Sequence, residues 1–138
     1  MDIDIKKIKE IFKNIVDDFN LTLLSRSNDG PLFNVIYSDF IDFTNQNEIS
    51  IYDCRPLLRF FLEKTNSLSS DIAQSIFKTH EQQEICYILS WDKKSVDVLI
   101  FHLKEGYILN APEFVNLAKD NLKLIKNLFI EIQNQVRL

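Results

Sequence analysis

The stretch from residue 84 to residue 103 most limits what this chain can become, because it is apolar in both alternating registers of an extended strand. Ile85, Tyr87, Leu89 and Trp91 fall on one side and Cys86 and Ile88 on the other; further on, Val96, Val98 and Ile100 alternate with Leu99, Phe101 and Leu103. The two runs flank Trp91-Asp92-Lys93-Lys94-Ser95, which reads as the charged tip of a β-hairpin. A sheet covered on one side only shows a polar second face, so this hairpin predicts cover on both sides. Two kinds of cover stay open: helices of the same chain, or another polypeptide seated on an apolar patch.

The remaining segments supply candidate partners for that sheet. Ile5, Ile8, Ile11, Phe12, Ile15 and Phe19 recur at steps of three and four, which predicts an amphipathic helix over 5–19 with Asp2 or Asp4 at its positive end. After Leu21 the pattern shortens to β-rich runs at 32–37, 40–44 and 48–53, with a possible fourth at 21–24, separated by turn signals such as Asn28-Asp29-Gly30-Pro31. Pro56 suits a first helical turn, and Leu57, Leu58, Phe60, Phe61 and Leu62 then cover most of a helix circumference. A second helical signal starts near Ser69 or Ser70. Asn110-Ala111-Pro112-Glu113 resembles a capping box opening a long helix, with Phe114, Leu117, Ala118, Leu122, Ile125, Leu128, Phe129 and Ile132 on its inner side. The expected fold is α+β: an antiparallel sheet of about five strands flanked by an N-terminal helix, a middle helical segment and a long C-terminal helix, in a single domain over 1–138.

Composition narrows the chemistry. The formal net charge of −4 argues against sequence-independent nucleic-acid binding, which needs a face rich in Lys and Arg. The first residues lack a signal-peptide pattern and no long apolar run follows, so a cytoplasmic protein without membrane contact is expected. The two glycines, Gly30 and Gly106, leave no glycine-rich phosphate loop. Cys54 and Cys86 stand apart and are expected to stay thiols, and with His80 and His102 they lack the spacing of a zinc site. A Cys86 thiolate paired with His102 or His80 is the one catalytic arrangement the residue types allow, and no motif accompanies it. A non-enzymatic protein with no metal and no cofactor is expected.

Charge is distributed unevenly. Between Ser27 and Cys54 lie Asp29, Asp39, Asp42, Glu48 and Asp53 with no Lys or Arg, so that residues 1–54 carry −5 and residues 55–138 carry +1. A solvated rim is the ordinary meaning of such a pattern; steering of a basic partner is the other.

The order helix, three strands, helix, two strands, long helix resembles that of the small acidic class I type III secretion chaperones, which serve one or a few effectors. The strings that carry the resemblance are Ile11-Phe12-Lys13-Asn14-Ile15-Val16-Asp17-Asp18-Phe19-Asn20-Leu21, Asn28-Asp29-Gly30-Pro31-Leu32-Phe33 and Glu113-Phe114-Val115-Asn116-Leu117-Ala118-Lys119. The stretch 66–83 is long for that family. The resemblance implies a homodimer with Leu57, Leu58, Phe60, Phe61 and Leu62 in its interface. It also implies that an effector's N-terminal segment wraps the dimer in extended form, anchored on the first helix and sheet at Ile8, Phe12, Phe33, Val35 and Tyr37. The alternative is an immunity protein that covers a toxin's active site, with Asp39, Asp42 and Glu48 facing a basic surface.

Overall fold

Leu, Ile, Val and Phe at alternate positions draw five segments of this chain into one antiparallel sheet. The computed structural model describes residues 2–16, 18–27, 30–54, 58, 83–91, 95–104 and 110–136. Helix α1 (Asp2–Phe12) is followed by β1 (Asn20–Arg26), β2 (Leu32–Ser38), β3 (Glu48–Ser50), β4 (Gln83–Trp91), β5 (Val96–Leu103), and helices α2 (Ala111–Asp120) and α3 (Leu122–Val136). The fold is therefore α+β, with the strands ordered β3-β2-β1-β5-β4. The expected middle helical segment lies outside the described residues apart from Leu58, whose N–H donates to the Cys54 carbonyl at 2.9 Å. Contacts group the chain into two compact units, one formed by Met1–Asp18 with Tyr107–Leu138 and the other by Phe19–Gly106.

In the sheet unit, the strand that the sequence signals most weakly is the central one. β1 pairs along its whole length with β5, from Asn20↔His102 to Arg26↔Val96, and on its other side with β2. Both faces of the hairpin are enclosed: Ile85, Cys86, Tyr87, Ile88 and Leu89 are no more than 2% exposed, as are Val96, Val98, Leu99, Ile100 and Phe101. The two-faced apolar pattern thus needs no second copy to cover it. One face carries a core of Leu24, Phe33, Phe43, Ile49, Cys54, Cys86, Ile88, Val96, Val98 and Ile100. A bulge between Ile88 and Ser90 brings Ser90 opposite Asp97, whose carboxylate accepts from Ser90 at 3.0 Å and from Ser25 at 2.7 Å.

Three expectations are corrected. The first helix ends at Phe12, not Phe19: the N–H groups of Ile15 and Val16 both turn back to the Phe12 carbonyl, and Asp18 takes a left-handed φ of 45° that no right-handed helix accommodates. Phe19, which continues the helical spacing, instead packs in the sheet unit against Phe101, ring centroids 5.3 Å apart. The run 40–44 is a turn and not a strand: Phe43 N–H donates to the Phe40 carbonyl at 2.9 Å and Gln46 N–H to the Phe43 carbonyl at 3.2 Å, each three residues back. The last strand of the expected meander stops at Ser50, whose hydroxyl accepts from Tyr52 N–H and caps a 3₁₀ turn over Ile51–Asp53.

The helical unit bears out the capping box: Asn110 Oδ1 accepts from Glu113 N–H at 3.2 Å. The long helix is interrupted at Asn121, whose side-chain amide donates to the Leu117 carbonyl at 2.9 Å and competes with the backbone ladder. α1 packs along α3, and Phe12 stacks on Phe114 with centroids 5.0 Å apart. Ile8 and Phe12 are fully enclosed. Phe12→Ala is expected to lower unfolding stability by about 3–5 kcal/mol in urea denaturation, the range for a truncated core aromatic; a loss within about 0.5 kcal/mol would mark it as a surface residue.

Candidate functional site

Among the described residues of the sheet unit the exposed large apolar side chains all fall in the segment that carries β2 and β3, the β2–β3 corner. β2 alternates between an inner side, where Phe33 is buried and Val35 packs against the core, and an outer side with Leu32 and Asn34 exposed. β3 follows the same alternation, with Ile49 buried and Glu48 exposed. Three large apolar side chains that the sequence reading missed are exposed along this segment: Leu32 at the start of β2 at 50% exposure, Ile41 in the turn between the strands at 82% and Tyr52 just after β3 at 68%. The period-two pattern of β2 carries a signal for Leu32, while Ile41 and Tyr52 lie in segments expected to be strands and have none.

The proposed partner anchors are divided by the fold. Ile8, Phe12 and Phe33 are core residues with no exposed surface, which corrects their assignment as anchors. Val35 and Tyr37 are half-buried. Of the proposed dimer residues, Leu58 is half-buried and Leu57, Phe60, Phe61 and Leu62 lie outside the described residues. The acids also separate. Asp42 and Glu48 are exposed, whereas Asp39 accepts from Leu21 N–H at 2.7 Å and from the Tyr37 hydroxyl at 3.0 Å. Asp39 thus fastens the β1 and β2 ends and is not free to meet a partner.

Behind the 40–45 turn sits a buried polar node built from four strands, with Thr22 on β1, Ser38 on β2, Glu84 on β4 and His102 on β5. Asn20↔His102, Thr22↔Ser38 and Glu84↔His102 are cross-strand partners in the register. Thr22 Oγ1 lies 2.7 Å from His102 Nε2 and 2.9 Å from Ser38 Oγ, and Ser38 accepts from Phe40 N–H at 3.1 Å. Phe40 stacks on the imidazole with centroids 3.9 Å apart and planes within 4°, and Phe43 meets it edge-on. His102 Nδ1 has no hydrogen-bond partner among the described residues; Glu84 Oε1 is 3.9 Å away. A proton on Nδ1 faces that carboxylate, while a lone pair would oppose it, so the arrangement suits the neutral tautomer with Nε2 accepting from Thr22. Burial pushes the His102 pKa down to about 4 against the opposing pull of Asp39.

Thr22, His102 and Glu84 stand in the order nucleophile, base and orienting acid, but all three are buried and the Phe40 ring covers the imidazole. The Cys86 thiol is pushed well above its usual pKa, chiefly by burial and further by Cys54 and Glu84, which holds it as an unreactive thiol. His80 lies outside the described residues. Among the described residues no group of three His, Cys, Asp or Glu could hold a metal ion, and no helix is long and apolar enough to cross a membrane. In the helical unit an open depression of about 520 Å³ is lined by Ile15, Asn110, Pro112, Glu113, Asn116, Leu117 and Asp120. Comparison with protein-family models, curated proteins and solved structures finds no match for the chain.

The sign of the pH dependence follows from the imidazole. Above about pH 6.5 it is neutral folded and unfolded. Below that the unfolded chain takes up a proton that the folded chain refuses until about pH 4, so stability falls across this window, by about 3 kcal/mol at its foot. Urea denaturation from pH 7 to pH 4 is expected to show a steeper loss for the parent than for His102→Gln, which lacks the titrating ring. Equal slopes would exclude His102 as the source.

Proposed function

We propose that this chain is a non-catalytic polypeptide-binding protein of the small acidic secretion-chaperone kind, which holds an extended segment of a partner protein so that it stays unfolded for export. The observation that carries this reading is the β2–β3 corner. Among the described residues β3 is an outer strand of the sheet, and Leu32, Ile41 and Tyr52 in the segments that flank it along the chain are exposed. A strand edge offers main-chain donors and acceptors to any extended sequence, and large exposed side chains next to it supply anchors. The described element order of helix, three strands, two strands and C-terminal helices supports the same reading. The anchoring surface differs from the one expected: it is the outer side of this corner and not the α1 face, which is spent on the core.

A second reading, an immunity protein that blocks a toxin, is favoured by one observation. The exposed Asp42 and Glu48 belong to a stretch, 28–54, that holds no Lys or Arg. Both readings make the chain a binder with no cofactor; the first adds a homodimer, with an interface of roughly 1,200–2,000 Å² in total.

Co-expression with the products of the neighbouring reading frames separates them. The chaperone reading expects a partner segment that proteases cut in the free partner and spare in the complex. It also expects Leu32→Asp with Tyr52→Asp to weaken the complex by about tenfold or more, the 1.4 kcal/mol scale of one lost apolar anchor. The immunity reading expects a folded partner whose activity stops on binding. Sedimentation of the purified chain as a monomer at micromolar concentration would remove the dimeric chaperone reading.

A further inference from the structure

We infer that the β2–β3 corner takes a lysine- or arginine-bearing extended segment of another protein, its main chain along the outer side of β3 and its cations beside Asp42, Glu48 and Asp53. This rests on the reading of the chain as a polypeptide-binding protein, and it specifies the chemistry of what is bound.

The phase of the β2–β3 ladder fixes which groups are on offer. Val35 N–H donates to the Asn47 carbonyl at 2.8 Å and Ile51 N–H to the Pro31 carbonyl at 2.9 Å, with Phe33 opposite Ile49 between them. Antiparallel pairing alternates strictly. The main-chain groups of Ile49 therefore point at β2, and those of Glu48 and Ser50 point outward, where the described residues place no further strand. Two residues' worth of donors and acceptors are thus presented to an incoming strand.

Side chains then choose its character. Glu48 lies opposite Asn34 on the outer face, the face that Leu32 also occupies opposite Ser50. A residue across from Glu48 on an added strand would have its Cβ about 5 Å away, the distance at which opposite charges stabilise a pair and like charges destabilise it. Asp42, in the turn that precedes β3 along the chain, and Asp53, in the 3₁₀ turn that follows it, are both exposed and add negative charge. Among the described residues none of these three acids has an ion-pair partner, and none of residues 28–54 is a cation. A second copy of this chain fits poorly, because edge-to-edge pairing would bring the two Glu48 side chains and their acidic flanks together. On the other face of β3 lies buried Ile49, so the alternate positions of an added strand would sit beside the apolar side, and the best occupant alternates cationic and apolar residues.

The test uses the full chain with two capped short peptides, one alternating Lys with Val and the other Glu with Val, read by amide shifts in nuclear magnetic resonance. The Lys–Val peptide is expected to shift the amides of 46–53, with affinity falling about tenfold between roughly 50 and 300 mM salt as screening shortens the field. The Glu–Val peptide is expected to leave them unmoved. In the variant carrying Asp42→Lys, Glu48→Lys and Asp53→Lys the preference should reverse, while the unfolding midpoint stays near that of the parent because all three side chains are exposed. Equal shifts at 46–53 from both peptides would overturn the charge requirement and leave strand capture standing. Shifts from neither peptide at this edge would overturn both. Concentration-dependent shifts of the same amides without peptide would assign the edge to a second copy and overturn the inference.

Discussion

Everything in the sheet unit hangs on the antiparallel pairing of β1 with β5. These strands are about eighty residues apart in sequence, and their register runs unbroken from Asn20↔His102 to Arg26↔Val96. That contact carries a large loop-closure entropy, which is repaid only because both strands bury their side chains on each face. Once it forms, β2 and β4 have a template on either side, and the apolar positions of all four strands fall onto common faces. A slip of one residue would exchange the faces and put Leu23 and Leu99 where Leu24 and Val98 belong.

The same register assembles the polar node. Thr22, His102 and Glu84 sit on one side of three neighbouring strands because their pairings are in phase. Their polarity would be a liability inside a core. It is relieved by mutual hydrogen bonding and by the 40–45 turn, which lays Phe40 over the imidazole and whose Phe40 N–H joins the chain of bonds through Ser38. Asp39 clamps the start of that turn to β1. The buried node and the exposed corner are thus two sides of one segment: its inward groups fix the turn's position, and its outward residues, Ile41 and Asp42, are left to the solvent. The proposed binding reading uses this division, since an inner side fixed by packing and hydrogen bonds would present the outer one without further ordering.

Nothing in the node or the thiols favours catalysis over architecture. The base is held neutral and covered, and the Cys86 thiol is held protonated by burial. Among the described residues of the sheet unit the remaining surface features are a strand edge, the exposed apolar side chains of Leu32, Ile41 and Tyr52, and the acids Asp42, Glu48 and Asp53 without ion-pair partners, which are the features the proposed polypeptide-binding reading uses.

The α+β class, the C-terminal helical segment with its Asn110 cap, the hairpin and the two-sided burial it demands were all legible in the sequence, because periodicity and capping are local physical signals. So was the acidic stretch, since charge is additive along the chain. Three things were not. The apolar spacing of Ile15 and Phe19 reads as helix, yet the chain turns at Asp18 and gives Phe19 to the sheet. The spacing within 40–44 reads as strand, yet Phe40 and Phe43 close a turn onto His102. Ile8, Phe12 and Phe33 read as available anchors, yet they are core, while Leu32, Ile41 and Tyr52 are outside. Sequence determined which side chains must leave water; only tertiary pairing decided which ones do so within this chain, because burial depends on the partners that long-range register brings opposite each strand and helix, and no local pattern encodes them.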